Sequence, residues 1–336
     1  MTSNGSLESS AWRRNSPLID RVLAHFVPNI EATWISRVAS FFWSKLSTGV
    51  IHRWPPFHVK PRVKGGGSLW MTGGRLPPVT DYRVHARNAA SMWEALSKGH
   101  GALLVGTERV RIIAPSPYHA LRAIVLDPDT GRDETVQSIV DTVLGASDFG
   151  RRVIEDASGK LDLSSRGLQT RFRLTIMGRR AEPPADQVKP PDVQVVAVND
   201  PERLAAAERI LIAVFPPPSL PSDPHGRIQP VRVLGIPGWR VWLGYRSGVP
   251  AGAAYTFHDG TSVGVYQLGT LPEHRSHGIG RAIMTEILRA YPGVPITLAA
   301  TDQGRPLYLD MGFAELNEAV WWRPNHTGDD SGEVLR

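Results

Sequence analysis

The stretch LPEHRSHGIGRAIMTEIL, residues 271–288, crowds a glutamate, two histidines, two arginines and two glycines into a turn and then becomes apolar at helical spacing. Ile283, Met284, Ile287 and Leu288 recur at intervals of three and four, as on a helix that packs one face. The preceding run SVGVYQLGTL, residues 262–271, reads as a strand, so a strand feeds a turn that opens a helix. The first N–H groups of a helix are unpaired and carry the positive end of its dipole, which makes a socket for phosphate. Gly278 and Gly280 present no side chain to an approaching anion, and Arg275 and Arg281 supply charge where a pyrophosphate would sit.

Working outward, VPITLAA (294–300) reads as a strand, DQGRPLYLDMGF (302–313) as a short helix closed by Gly312, and AVWWRP (319–324) as a last strand. Upstream, DVQVVAVN (192–199) reads as a strand. The run DPERLAAAERILIAVF (200–215) reads as a helix, with Asn199 or Asp200 as N-cap, Pro201 at its first position and Glu202 in its first turn. WRVWLGYR (239–246) and VPAGAAYTFHD (249–259) are further strands. Residues 215–238 hold too many prolines to be regular, and long irregular stretches in compact domains often face substrate.

Arg275-Ser276-His277-Gly278-Ile279-Gly280 fits the pattern (Q/R)-x-x-G-x-(G/A) and resembles the coenzyme A signature of the GCN5-related N-acetyltransferases (GNAT). Three neighbours strengthen the resemblance: VYQLGTLPEHR before it, RAIMTEIL after it, and PLYLDMGF about thirty residues on. It covers residues 192–324 and implies an α/β fold, the mixed-sheet GNAT acyl-CoA N-acyltransferase fold. Acetyl-CoA is then the cosubstrate, and the primary amine of an unidentified small molecule the acceptor.

By the same resemblance the strand before the motif splays from its parallel neighbour, and the backbone of Gly269 and Leu271 meets the pantetheine arm. Arg275, Ser276, His277, Gly278, Ile279, Gly280 and Arg281 form the pyrophosphate turn. Tyr308 takes the place of the family's tyrosine, expected to protonate the leaving thiolate. A phenol with a reference pKa of about 10 holds its proton at neutral pH and can pass it to a thiolate of pKa about 8.5. The sequence departs from the pattern at Thr301 and Asp302, where the family often has Asn, and at Gly264 and Val265, where carboxylate bases tend to lie. The general base is left unassigned.

Residues 81–178 also alternate helices and strands: NAASMWEALSKGHG, the hairpin GALLVGTERVRIIAP, LRAIVLD, DETVQSIVDTVLG, RRVIED, LDLSSRGL and QTRFRLTIMGRR. The order resembles the same fold, with SSRGL where the later domain has LDMGF. After the strand AIVLDPDTG, however, Asp127 and Asp129 stand where the phosphate turn would be, and acids repel phosphate. The expectation is a degenerate GNAT-like copy that packs on or covers the active one, joined to it by the Pro-rich linker 179–191.

Residues 1–70 stand apart in composition. They hold nine Lys or Arg against three Asp or Glu, the whole net charge of +6, and five of the ten tryptophans. Residues 71–336 balance. This basic, Trp-rich segment is expected to be partly disordered, with short amphipathic helices that dock on the main body or lie on a membrane surface; translation from Met71 is the further reading. Residues 325–336 are expected to form a disordered tail.

The chain has no cysteine, which excludes disulfides, thiolate metal sites and thiol nucleophiles. No apolar run reaches the roughly 18 residues of a membrane span and no secretory leader is evident, so the expected compartment is the cytoplasm. Glu273, His274 and His277 lack a third ligand at matching spacing, and no metal is expected. No nucleic-acid partner is expected. The rival to an enzyme is a non-catalytic acyl-CoA-binding regulatory module with the same pocket.

Overall fold

The computed structural model describes residues 79, 81–98, 104–106, 109–113, 119–127, 133–145, 152–180, 190–216, 226 and 228–325. The expectations for residues 1–70 and 326–336, for most of the linker, and for residues 217–225 and 227 of the proline-rich stretch fall outside them. In chain order the elements are α1 (Arg83–Lys98), β1 (Leu104–Gly106), β2 (Val110–Ile113), β3 (Leu121–Val125), α2 (Asp133–Gly145), β4 (Arg152–Asp156) and β5 (Leu168–Arg179). Then follow β6 (Val193–Val198), α3 (Pro201–Val214), β7 (Trp239–Arg246), β8 (Val249–His258), β9 (Val263–Thr270), α4 (Ile279–Ala290), β10 (Ile296–Ala300), α5 (Arg305–Asp310) and β11 (Ala314–Pro324).

Local chemistry accounts for several boundaries. Asp200 caps α3 by accepting the Arg203 N–H at 2.8 Å, and Pro201 opens the helix where no N–H is needed. Ser247 and Gly248, both left-handed with φ of 48° and 82°, turn β7 tightly into β8, a backbone shape that matches the twist of a hairpin. Beside α3, the buried Glu208 carboxylate accepts backbone N–H groups from Gly226, Ile228 and Gln229 at 2.5, 2.9 and 2.8 Å. These charge-assisted bonds fix the end of the proline-rich stretch against α3.

All strands join one mixed sheet in the order β1-β2-β3-β4-β11-β5-β10-β9-β8-β7-β6. The segment 81–178 supplies β1 to β5 and the segment 192–324 supplies β6 to β11, yet their last strands are exchanged. β5 lies between β11 and β10, and β11 lies between β4 and β5. Around the β11–β5 pair the order reads alike in both directions. On one side the parallel pair β3–β4 is joined through α2; on the other the parallel pair β9–β10 is joined through α4. A 3-10 turn at Ser164–Arg166 precedes β5 as α5 precedes β11. Breaking either half therefore costs the other a strand.

Two apolar layers sandwich the second half of the sheet. On one face α4 buries Ile279, Ile283, Met284, Ile287 and Leu288 against Val265, Ile296 and Leu298. On the other, α3 and α1 bury Leu204, Ile210, Met92 and Leu96 against Leu243, Tyr255 and Phe257. Truncating any one of the fully buried branched residues to Ala costs about 2–5 kcal/mol. Helix α1, from the first half, packs on β8, β9 and β10 of the second half as well as on β2 and β3 of its own.

Candidate active site

β9 and β10 pair in parallel only from Val263↔Ile296 to Val265↔Leu298, although β9 continues to Thr270 and β10 to Ala300. The pairing ends where β9 bulges: Gln267 has a left-handed φ of 51°, and the register with β8 shifts between Ala253 and Tyr255. A bulge bends its strand and strengthens the local twist, so the two parallel strands part here. The backbone groups freed along that gap can pair with an extended ligand as a neighbouring strand would.

Gly269 and Leu271 do not present those groups. Leu271 donates its N–H to Ala251 O at 2.9 Å on β8, and its carbonyl accepts from His274 N at 2.9 Å. By the alternation of an antiparallel pair, Gly269, opposite Ala253, also turns toward β8. Leu268 and Thr270 are the residues whose backbone faces the gap. Gly269 is instead where α3 comes close, since a Cβ there would stand 2.9 Å from both Phe215 and Val214.

Beyond β9, a 3-10 turn at Pro272–His274 leads to Ser276 and Gly278, both left-handed with φ of 62° and 79°, and α4 begins at Ile279. No side chain caps this helix start. Its amides keep their polarity free for a ligand. Gly244 and Gly252 let α4 lie down on the sheet, because a Cβ at either would meet Ile279 Cγ2 at 3.0 and 2.7 Å. Ser276, His277 and Arg275 are exposed, and Arg275 Nε donates to Thr270 O at 3.3 Å. Arg281 points elsewhere: its guanidinium pairs with Asp310 on α5 at 2.5 Å, so a phosphate would have to share it.

Tyr308 lies in α5 on the α4 side of the sheet, edge-on to Phe313 with ring centroids 5.8 Å apart. Its ring also lies under Gly304, whose added Cβ would sit 3.3 Å from Tyr308 Cε2. Burial pushes the phenol up to about 12. It remains protonated throughout the physiological range. Gly304 N donates to Thr301 Oγ1 at 3.2 Å, so Thr301 orders the approach to α5.

The opposite face of β9 carries side chains that motif reading did not find. Asn88, fully buried on α1, donates through Nδ2 to Phe257 O and Ser262 O at 3.2 and 3.0 Å, and accepts from Tyr266 Oη at 2.6 Å. Tyr266 stacks on Tyr255 and Tyr255 on Trp239, at 5.4 and 5.0 Å. Burial raises both tyrosines well above their usual range. One helical turn before Asn88, the buried His85 ring faces Tyr266 at 6.3 Å. Gly264 is empty of side chain because this cluster fills its space: a Cβ would stand 2.2 Å from Asn88 Oδ1 and 2.3 Å from Tyr266 Oη. Gly264→Ala should therefore destabilise the protein by about 1–3 kcal/mol. In thermal unfolding it should combine non-additively with Asn88→Ala, since the two share the same space.

Among the described residues no three His, Asp or Glu side chains gather as metal ligands, and no helix is long and apolar enough to cross a membrane.

Residues 237–315, which contain the gap, the uncapped turn and Tyr308, match the family model described as acetyltransferase (GNAT) domain. This part of the chain has the GNAT fold. The GNAT fold is that of a GCN5-related N-acetyltransferase from Kribbella flavida, 19% identical, which aligns over 72% of this chain and 97% of its own with a TM-score of 0.52. A GCN5-related N-acetyltransferase from Sphaerobacter thermophilus, 13% identical, aligns over 76% and 96% with a TM-score of 0.50. No curated protein matches the chain.

Proposed function

We propose that the second half of this chain transfers an acetyl group from acetyl-CoA to the primary amine of a small molecule by direct attack, in the cytoplasm. The observation that carries this reading is the uncapped start of α4 next to a parallel strand pair that stops pairing at Val265 and Leu298. Pyrophosphate would rest on the amides at Gly278, Ile279 and Gly280, with Arg275, Ser276 and His277 around it. The pantetheine would enter the gap along Leu268 and Thr270. A backbone N–H at the bulge would polarise the thioester carbonyl, and Tyr308 would protonate the departing sulfur.

The first half, in this reading, is a second copy of the fold without a coenzyme site. The mirrored strand order supports duplication, and exposed Asp127 after β3 occupies the place that the phosphate turn takes after β9. Its contribution is structural, through β5 within the shared sheet and through α1 packed on β8, β9 and β10.

The test is thiol release from acetyl-CoA in the presence of pooled primary amines, with calorimetric titration of coenzyme A alongside. Binding with amine-dependent release is the expected result. Binding without release from any pool favours the regulatory module, and absence of binding removes the proposal.

A further inference from the structure

The acetyl-transfer reading leaves the attacking amine without a group to take its proton, and the structure holds a candidate on the face away from Tyr308. β10 alternates, with Ile296, Leu298 and Ala300 in the α4 layer, so Thr297 faces α1. Thr297 is paired with Gly264 across the last regular stretch of β9–β10, is fully buried, and its Oγ1 finds no partner. His85 on α1 is 8% exposed, and its Nδ1 is likewise buried without a partner. Two orphaned polar atoms, one from each half of the chain, thus belong to the same face of the β9–β10 pair, Thr297 opposite Gly264 and His85 beside Tyr266, just past the last paired residue of β9. Buried polar groups are rarely left unpaired unless a water or a ligand completes them.

Two other titratable groups near this face, Tyr266 and Asp259, already make hydrogen bonds. Tyr266 Oη donates to Asn88. The Asp259 carboxylate accepts from the backbone N–H and hydroxyl of Thr261 and from those of Ser262, between 2.8 and 3.2 Å. Tyr255 is enclosed in the stack between Trp239 and Tyr266, and burial holds its phenol protonated, so it does not serve as a base.

We infer that His85, supplied by the first half of the chain, is the general base of the acetyl transfer, and that Thr297 holds the incoming amine beside it. The inference rests on the acetyl-transfer reading. The amine nitrogen attacks the thioester carbonyl carbon and forms the C–N bond. As the C–S bond breaks, sulfur leaves with its electron pair and takes the Tyr308 proton. The surplus proton on nitrogen passes to the His85 imidazole, and exchange with solvent restores both side chains. Burial, which pushes the imidazole down to about 4, keeps it neutral at pH 7; so weak a base takes the proton only as the C–N bond forms and the nitrogen turns strongly acidic. The arrangement also gives the inactive copy a reason to stay attached, since its helix completes the acceptor side.

His85→Gln and His85→Ala should lower turnover with the pooled primary amines at least about 100-fold. Coenzyme A affinity should stay within twofold, because the pyrophosphate turn lies on the opposite face. Wild-type release with undiminished turnover in both variants overturns the inference and spares the acetyl-transfer reading. Wild-type silence removes that reading and the inference with it. Histidine ¹⁵N–¹H correlation spectra of the wild-type protein at pH 7 give a check that does not depend on how the variants fold. A neutral His85 ring is expected, and a ring protonated on both nitrogens overturns the inference.

Discussion

Replacing Tyr308 by phenylalanine should lower kcat by about 100-fold to 10,000-fold while coenzyme A binds as before. The substitution removes one hydroxyl from a ring that stays packed against Phe313 and under Gly304, so the α5 backbone has no reason to move. No hydrogen bond to that hydroxyl exists among the described residues, and the stability change should stay within about 1 kcal/mol. A purely structural tyrosine would give the opposite signature, with unfolding and binding affected together. The wild-type pH profile supplies a second arm. With the phenol pushed up to about 12, its acid form persists well above the ordinary tyrosine range. Turnover should therefore not decline between pH 8 and pH 10 through loss of this proton. A Tyr308→Phe enzyme that retains most of its kcat removes Tyr308 from the chemistry.

The sequence was most informative where a function depends on residues adjacent in the chain. The glycine turn at 275–281, the Asp200 cap and the hairpin at Gly248 each follow from side chains within a few positions of one another. A strand followed by a glycine turn and an amphipathic helix is a local pattern, and the fold of residues 237–315 could be read from it. The exchange of β5 and β11 was not legible, because a strand's composition states how it packs but not which neighbour it chooses. Gly269 and Leu271 illustrate a finer limit. A strand turns its backbone groups to alternate sides, and the bulge at Gln267 decides which residues face the gap. Asn88 and His85 lie about 180 positions before Tyr266, with which they cluster, and neither belongs to a recognisable spacing. The absent side chain at Gly264 was the one local sign of them. It read as a missing base, when the space had been taken by a helix from the other half. Arg281 shows the reverse case, a motif residue with the right chemistry that Asp310 also claims.

Gly280→Val should keep the fold and lose the coenzyme, which makes it the sharper test of the turn than any change at Gly278. At Gly278 a side chain must adopt a left-handed φ of 79° and meets Pro190 Cγ at 3.0 Å, so the protein would be strained whether or not a ligand binds there. Gly280 is the second residue of α4, and an added Cβ has ordinary contacts only, 3.6 Å to Leu307 Cδ2 and 3.9 Å to Thr270 Oγ1. Valine is also a better helix former than glycine by a few tenths of a kcal/mol, so thermal unfolding should move little and not downward by more than a degree or two. The branched side chain, by contrast, would stand over amides that a pyrophosphate must approach to hydrogen-bond distance. Losing two such charge-assisted bonds costs about 3 kcal/mol, or roughly 100-fold in the calorimetric Kd for coenzyme A. Gly280→Ala, with only the Cβ, should fall between the two. A valine variant that binds as tightly as the wild type would mean that phosphate does not rest on the start of α4. The gap between β9 and β10, which leads to that same turn, would then lack the anchor proposed to set the register of its ligand.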